Sequence, residues 1–209
     1  MVKPLTVTPG VLLWREMLPP PRQRDLLDEV LALLEAAPLY RPVMPGSGKP
    51  FSVQESNFGT LGWVSDRAGY RYQATHPVTG APWPPMPASL TALWDAVAAA
   101  FSCGGPPPQC CLVNLYRDGA KMGLHQDRDE NDTGAPVVGI SLGDEALFRI
   151  GGPTRRAPTT GLSLTSGDVI AFGGPARLAY HGIDRVRAGT SRLVPGGGRM
   201  SLTLRRVAA

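Results

Sequence analysis

The sequence predicts a mainly β fold with supporting helices, and three observations lead to it. After Gly104, short apolar runs follow one another at close spacing, separated by Gly, Pro and Asp. Runs of that length and spacing read as the strands of a sandwich or barrel. Gly 25 and Pro 22 in 209 residues mean many turns and short elements. Helical periodicity is confined to two segments before residue 104.

The first helical segment runs from Arg22 to Ala37, where Leu26, Leu27, Val30, Leu31, Leu33 and Leu34 give a broad apolar face. The second runs from Pro87 to Ser102, with Leu90, Leu93, Trp94, Val97 and Phe101 on one face and Pro87 at its start. Between them, Pro38 to Pro87 is loop-rich, carrying Trp63, Tyr70, Tyr72 and Trp83. The strand-like runs are Cys111–Tyr116, Val137–Leu142, Ala146–Ile150, Leu162–Leu164, Asp168–Phe172, Leu178–His181 and Met200–Val207. The expected organisation is one compact domain, with residues 1–103 as a helix-containing extension and residues 104–209 as the β core.

Composition narrows the class. A hydrophobic content of 43% and a charged content of 18% are those of a soluble globular chain. There is no secretory h-region at the start and no 18-residue apolar run, so a cytoplasmic protein without a membrane span is expected. Cys103, Cys110 and Cys111 are odd in number, two of them adjacent, and they lack the further ligands at the spacing a zinc site needs. They read as reduced thiols. The net charge is +4. The stretch from Arg177 to Arg206 is rich in arginine against a single acid, Asp184, whereas Asp127, Asp129, Glu130 and Asp132 cluster upstream. A basic surface around a metal site suits a polyanion.

The chemistry centres on His125-Gln126-Asp127 and on the distant His181. Two imidazoles and one carboxylate are the ligand set of a facial triad, which holds Fe(II) on one face and leaves positions open for an organic co-substrate and O2. His76, before Pro77 in a Gly/Pro-rich loop, reads as a solvated loop residue instead. In the strand Arg199-Met-Ser-Leu-Thr-Leu-Arg205, alternation puts Arg199, Ser201, Thr203 and Arg205 on one face and Met200, Leu202 and Leu204 on the other. Asn114 and Tyr116 alternate in the same way around Leu115. Convergence of these residues on a barrel interior makes an anion pocket.

These residues carry a family resemblance. The segment from Asn114 through His125 and Asp127 to Glu130 resembles the AlkB-type Fe(II)/2-oxoglutarate dioxygenases that repair alkylated nucleic acid, their bacterial members most nearly. So do Val137–Gly143, Ser166–Gly174, Tyr180-His181-Gly182-Ile183 and Arg199–Arg205, and upstream Leu61-Gly-Trp63, Gly69-Tyr70-Arg-Tyr72 and Pro82–Pro87. The resemblance implies a double-stranded β-helix, or jelly roll, preceded by a nucleotide-recognition lid. It implies Fe(II) on His125, Asp127 and His181. It implies 2-oxoglutarate on Asn114, Tyr116, Arg199, Ser201 and Arg205, with Arg205 at the distal carboxylate and Arg199 at the metal-proximal end. Ser201 departs from the family pattern, which often carries Asn there, and its shorter reach bears on the geometry of the co-substrate pocket.

The resemblance also implies a base site. Trp63 packs on the damaged base, Tyr70 belongs to the same lid, and Tyr72 contacts phosphate or backbone. Asp129 lies near the exocyclic amino group and Arg155 at the pocket. The implied reaction is oxidative demethylation of 1-methyladenine- or 3-methylcytosine-type bases, with release of formaldehyde, succinate and CO2. The implied substrates are alkylated single- or double-stranded DNA, with RNA as a further candidate, and no obligate protein partner. Two rivals stand beside it. An oxygenase acting on protein or a small molecule would lose nothing to competition by methylated oligonucleotide. A noncatalytic nucleic-acid-binding relative would not turn over 2-oxoglutarate.

Overall fold

The computed structural model describes residues 3–117 and 119–208. In chain order its elements are β1 (Leu5–Thr8), β2 (Val11–Trp14), α1 (Pro20–Ala36), β3 (Gln54–Gly59), β4 (Gly62–Asp66), β5 (Gly69–Gln73) and α2 (Ala88–Ala98). There follow β6 (Cys110–Tyr116), β7 (Met122–His125), β8 (Val137–Gly143), β9 (Glu145–Ile150), β10 (Thr160–Leu164), β11 (Val169–Phe172), β12 (His181–Arg187) and β13 (Arg199–Arg205). A seven-stranded sheet has the order β1-β2-β11-β8-β13-β6-β3, and a four-stranded sheet the order β10-β9-β12-β7. Every pairing is antiparallel, and β4 and β5 form a separate hairpin. This is the jelly roll.

Strand alternation builds two cores from the large sheet. Cys111, Val113 and Leu115 of β6, Val138, Ile140 and Leu142 of β8, and Met200, Leu202 and Leu204 of β13 face α1 and α2. Leu26, Leu27 and Val30 of α1 and Leu90, Leu93, Trp94 and Val97 of α2 meet them. The helices thus cap the outer face, and their role is support. On the inner face Val11, Leu13, Val137, Ile170 and Phe172 pack against Ala146, Phe148, Ile150 and Ile183 of the small sheet. Burying a Val-, Leu- or Phe-sized side chain contributes about 1.5–3 kcal/mol. Loss of either layer therefore exceeds the stability of an ordinary domain.

Several expectations change. The stretch from Pro38 to Pro87 is loop-rich as expected, but it also holds three short strands that the sequence did not show, β3, β4 and β5. The residues of β3, Gln-Glu-Ser-Asn-Phe-Gly, are almost all buried although polar, so no hydrophobic alternation betrays them. The division expected at residue 104 runs through the large sheet, because β2 pairs with β11 and β3 with β6. The strand expected over Leu178–His181 begins only at His181 and continues to Arg187. Its second half is solvent-facing and charged, which hides it from a hydrophobicity reading. His76 is 1% exposed, not solvated; a ring nitrogen bonds the Pro38 carbonyl while Nδ1 accepts from the Val78 and Thr79 amides. Among the described residues no helix is long and apolar enough to cross a membrane.

Candidate active site

The end of β7 and the start of β12 meet at one point. In the ladder His125 lies directly opposite His181, and their rings are 4.4 Å apart between centroids. Asp127 follows two residues after β7, and the Gln126 side-chain amide donates to the Leu178 carbonyl at 2.6 Å, tying this turn to the approach of β12. The approach requires Gly182. A Cβ there would stand 2.5 Å from the Met122 carbonyl oxygen and 2.9 Å from that of Gly123, both backbone atoms that cannot swing away. Gly182→Ala is expected to push β12 off β7 and so move His181 from His125. Metal affinity measured by titration should fall at least about tenfold, the scale seen when ligand orientation is disturbed. Unaltered affinity would contradict this role.

Both imidazoles are set for metal binding. Nδ1 of His125 lies 2.9 Å from the Gly123 carbonyl, and Nδ1 of His181 lies 3.0 Å from the Ala179 carbonyl. A carbonyl only accepts, so each Nδ1 carries the proton and each Nε2 keeps its lone pair. Each Nε2 is 3.8 Å from a carboxylate oxygen of Asp127. One donor atom from each of the three residues lies within 4.8 Å of the others. This donor set fits Fe(II) bound on one face. His181 is buried beside Phe172 and Phe148. Burial, aided by His125, lowers its pKa to about 4, so it stays neutral at physiological pH.

Asp127 is held by a network. Burial opposes its charge, but the Arg205 guanidinium outweighs this, and its carboxyl sits well below the usual range. Arg205 grips it with two hydrogen bonds of 3.0 Å and lies 3.5 Å from Glu130. Arg177 donates to the Asp127 carbonyl at 2.6 Å and to Glu130 at 3.1 Å. The Tyr72 hydroxyl donates to the other Glu130 oxygen. Tyr72 therefore supports the carboxylate network, with its hydroxyl already engaged by Glu130. The supporting roles of Arg177 and Glu130 were missed by sequence reasoning. The arginine-rich and acidic clusters were visible, but neither told which members are buried against each other.

One cavity of about 700 Å³ lies between the two sheets, lined by the triad, Asn114, Tyr116, Arg199, Ser201, Thr203 and Arg205, and by Trp63, Tyr70, Asp129 and Arg155. The structure thus brings all the expected site residues but Tyr72 to one cavity. The two arginines differ in their partners. Arg205 is at the metal end, engaged by Asp127. Arg199 is 1% exposed, donates to Ser141 at 2.8 Å, and has an Nε with no partner among the described residues. Burial lowers its pKa to about 10. Among the described residues the Asn114 side-chain oxygen is also without a partner. A buried guanidinium bonded to no carboxylate and beside an open space is an anion site. Of the two arginines, Arg199 is the one not already engaged by a carboxylate among the described residues.

The β4–β5 hairpin covers the cavity. Asn57 of β3 brackets Trp63, accepting from its backbone N–H and donating to its carbonyl, both at 3.0 Å. Trp63 stacks on Tyr70 with centroids 5.4 Å apart and planes 20° apart, and its indole N–H donates to Asp129 at 2.9 Å. Tyr70 is exposed, as is Arg155 in the turn between β9 and β10.

Comparison with known proteins agrees with this geometry. Residues 10–205 match the 2OG-Fe(II) oxygenase superfamily. The chain is 56% identical to an alpha-ketoglutarate-dependent dioxygenase AlkB homolog of Caulobacter vibrioides, over 99% of this chain and 91% of that protein. It is 43% identical to alpha-ketoglutarate-dependent dioxygenase AlkB of Escherichia coli, over 79% of this chain and 76% of that one. The solved structure of OsALKBH1 superposes with a TM-score of 0.80 at 31% identity, covering 97% of this chain and 99% of that one.

Proposed function

The chain belongs to the 2OG-Fe(II) oxygenase superfamily, as an AlkB-type dioxygenase, and from that premise we propose that it demethylates N-alkylated bases, of the 1-methyladenine and 3-methylcytosine type, in DNA. The carrying observation is that two imidazole Nε2 atoms and one carboxylate face the same cavity as an aromatic hairpin and a buried arginine bonded to no carboxylate among the described residues. When bound, Fe(II) with 2-oxoglutarate and O2 supplies the oxidation of a C–H bond, with succinate and CO2 as co-products. Hydroxylation of an N-methyl group gives N–CH2OH, which releases formaldehyde and restores the ring nitrogen.

The chain's own residues do the rest. Arg199 receives the distal carboxylate of 2-oxoglutarate, with Tyr116 opposite it in the ladder and Asn114 and Ser201 paired two residues along. Arg205 holds the Asp127 carboxylate ionised and in one orientation. Trp63 offers an aromatic face to the base, and Asp129, at its indole edge, attracts the positive charge that methylation at a ring nitrogen creates. Such a lesion cannot pair normally and is cheaper to extrude; a single strand avoids the unpairing cost altogether. RNA carrying the same lesions is a second substrate of this reading. Arg155 supplies a cation at the rim for the backbone.

Substitution separates this reading from oxidation of a protein or small molecule. Trp63→Ala should lose about 1–3 kcal/mol of stacking per base, and Asp129→Ala should harm charged lesions more than neutral ones. Succinate formed without substrate should persist in both variants, while formaldehyde released from methylated oligonucleotide falls steeply. Equal loss of the two products would make both residues structural and remove the base site.

A further inference from the structure

We infer that Glu55 is a second acidic contact for the substrate base, at the floor of the cavity beneath the aromatic hairpin, where it accepts from an exocyclic amino group. The inference deepens the base-binding reading of this cavity and depends on it. Glu55 is 0% exposed, yet it lines the cavity, and neither carboxyl oxygen has a partner among the described residues. A buried carboxyl left without hydrogen bonds is unfavourable and calls for an explanation such as a missing ligand. Burial pushes the group up to about 8, with Arg205 pulling the other way.

Its place in the sheet says which ligand. In the ladder Glu55 lies opposite Asn114, Asn114 opposite Ser201, and Ser201 opposite Ser141. These four polar side chains make one row across β3, β6, β13 and β8, all lining the cavity. At one end Ser141 accepts from Arg199. That end suits the dianionic co-substrate. The other end is Glu55, on the edge strand, where a carboxyl offers a dianion no counter-charge. Two residues further along β3, Asn57 clamps the backbone of Trp63. Glu55 therefore belongs to the base end. A carboxyl there prefers a base bearing an amino donor, and a cationic one above all, over a neutral base with a carbonyl in its place.

The test is binding by the full chain with Fe(II) and 2-oxoglutarate, O2 excluded so that nothing turns over. Three fluorescent single strands of one sequence serve as probes: unmodified, with one 3-methylcytosine, and with one 3-methyluracil, which carries oxygen where 3-methylcytosine carries the amino group. Glu55→Leu should weaken the 3-methylcytosine strand about tenfold or more, as loss of a hydrogen bond to a charged group does. The other two strands should change less than about twofold, and 2-oxoglutarate affinity should not move. Glu55→Gln, which keeps an acceptor, should lie between. Without ligands, Glu55→Leu should melt a few degrees higher, because an unpartnered polar group has gone. An unchanged preference for 3-methylcytosine over 3-methyluracil overturns the inference, as does a loss that falls on 2-oxoglutarate instead. If the wild-type protein binds all three strands alike, the base-binding reading fails first and this inference with it, and the wild-type arm alone reports that.

Discussion

Replacing His125 with alanine is expected to lower turnover more than about 100-fold while leaving the fold intact. Disturbing a mere supporting contact of a metal ligand already costs about 10–100-fold, and removing a ligand costs more. The His125 side chain is 39% exposed, so its loss leaves no large cavity. His181→Ala should be as inactive but less stable, since its ring packs between Phe172 and Phe148. Asp127→Ala should be inactive and the least stable of the three. It strands the buried Arg205 guanidinium, and breaking a buried pair in this way costs about 3–5 kcal/mol; Glu130, 3.5 Å away, offsets part of it. Formaldehyde release and thermal melting of the three variants check both halves. Near-normal turnover by His125→Ala with ordinary iron supply would end the metal assignment.

Arg199→Lys is expected to weaken 2-oxoglutarate binding about ten- to a hundredfold, equivalent to about 1.5–3 kcal/mol for a charge-assisted contact. A guanidinium meets a carboxylate with two parallel hydrogen bonds, and an ammonium does not. Arg205→Lys should act differently. Its partner in the structure is Asp127, so the change should appear first in metal affinity. Arg206, on the other face of the strand, is bound to Asp132 and the Pro106 carbonyl, and its substitution should leave 2-oxoglutarate affinity within about twofold. The apparent affinity for 2-oxoglutarate and the iron titration of each variant decide the order. An unchanged co-substrate affinity in Arg199→Lys would return the distal carboxylate to Arg205.

The contrast between these arginines marks how far the sequence could be read. Period-2 alternation in Arg199–Arg205 placed both on the inner face, and the inner and outer faces of β6, β8 and β13 divide as alternation predicts. Alternation does not tell which end of a strand meets which ligand. That depends on where β7 and β12 come together, and the contact is fixed by Gly182 rather than by any hydrophobic signal. The two helices were legible because their apolar faces are contiguous. By contrast β3 was not, since its buried Glu55, Ser56 and Asn57 have polar partners or cavity neighbours instead of apolar ones. Tyr72 was assigned to the substrate by its company in the sequence. It alternates with Tyr70 less simply than spacing suggests: Tyr70 stacks outward on Trp63, while Tyr72 reaches Glu130.

On the proposed function, this cavity removes methyl groups from nucleobases at the His125–Asp127–His181 centre. Mass spectrometry of methylated DNA and RNA oligonucleotides, incubated with Fe(II), ascorbate, 2-oxoglutarate and O2, tests it most directly. The expected result is loss of one methylene from strands carrying 1-methyladenine or 3-methylcytosine, with one succinate and one formaldehyde for each base restored, and none of these products from the His125→Ala protein. Steady succinate production with every strand unchanged in mass would contradict it.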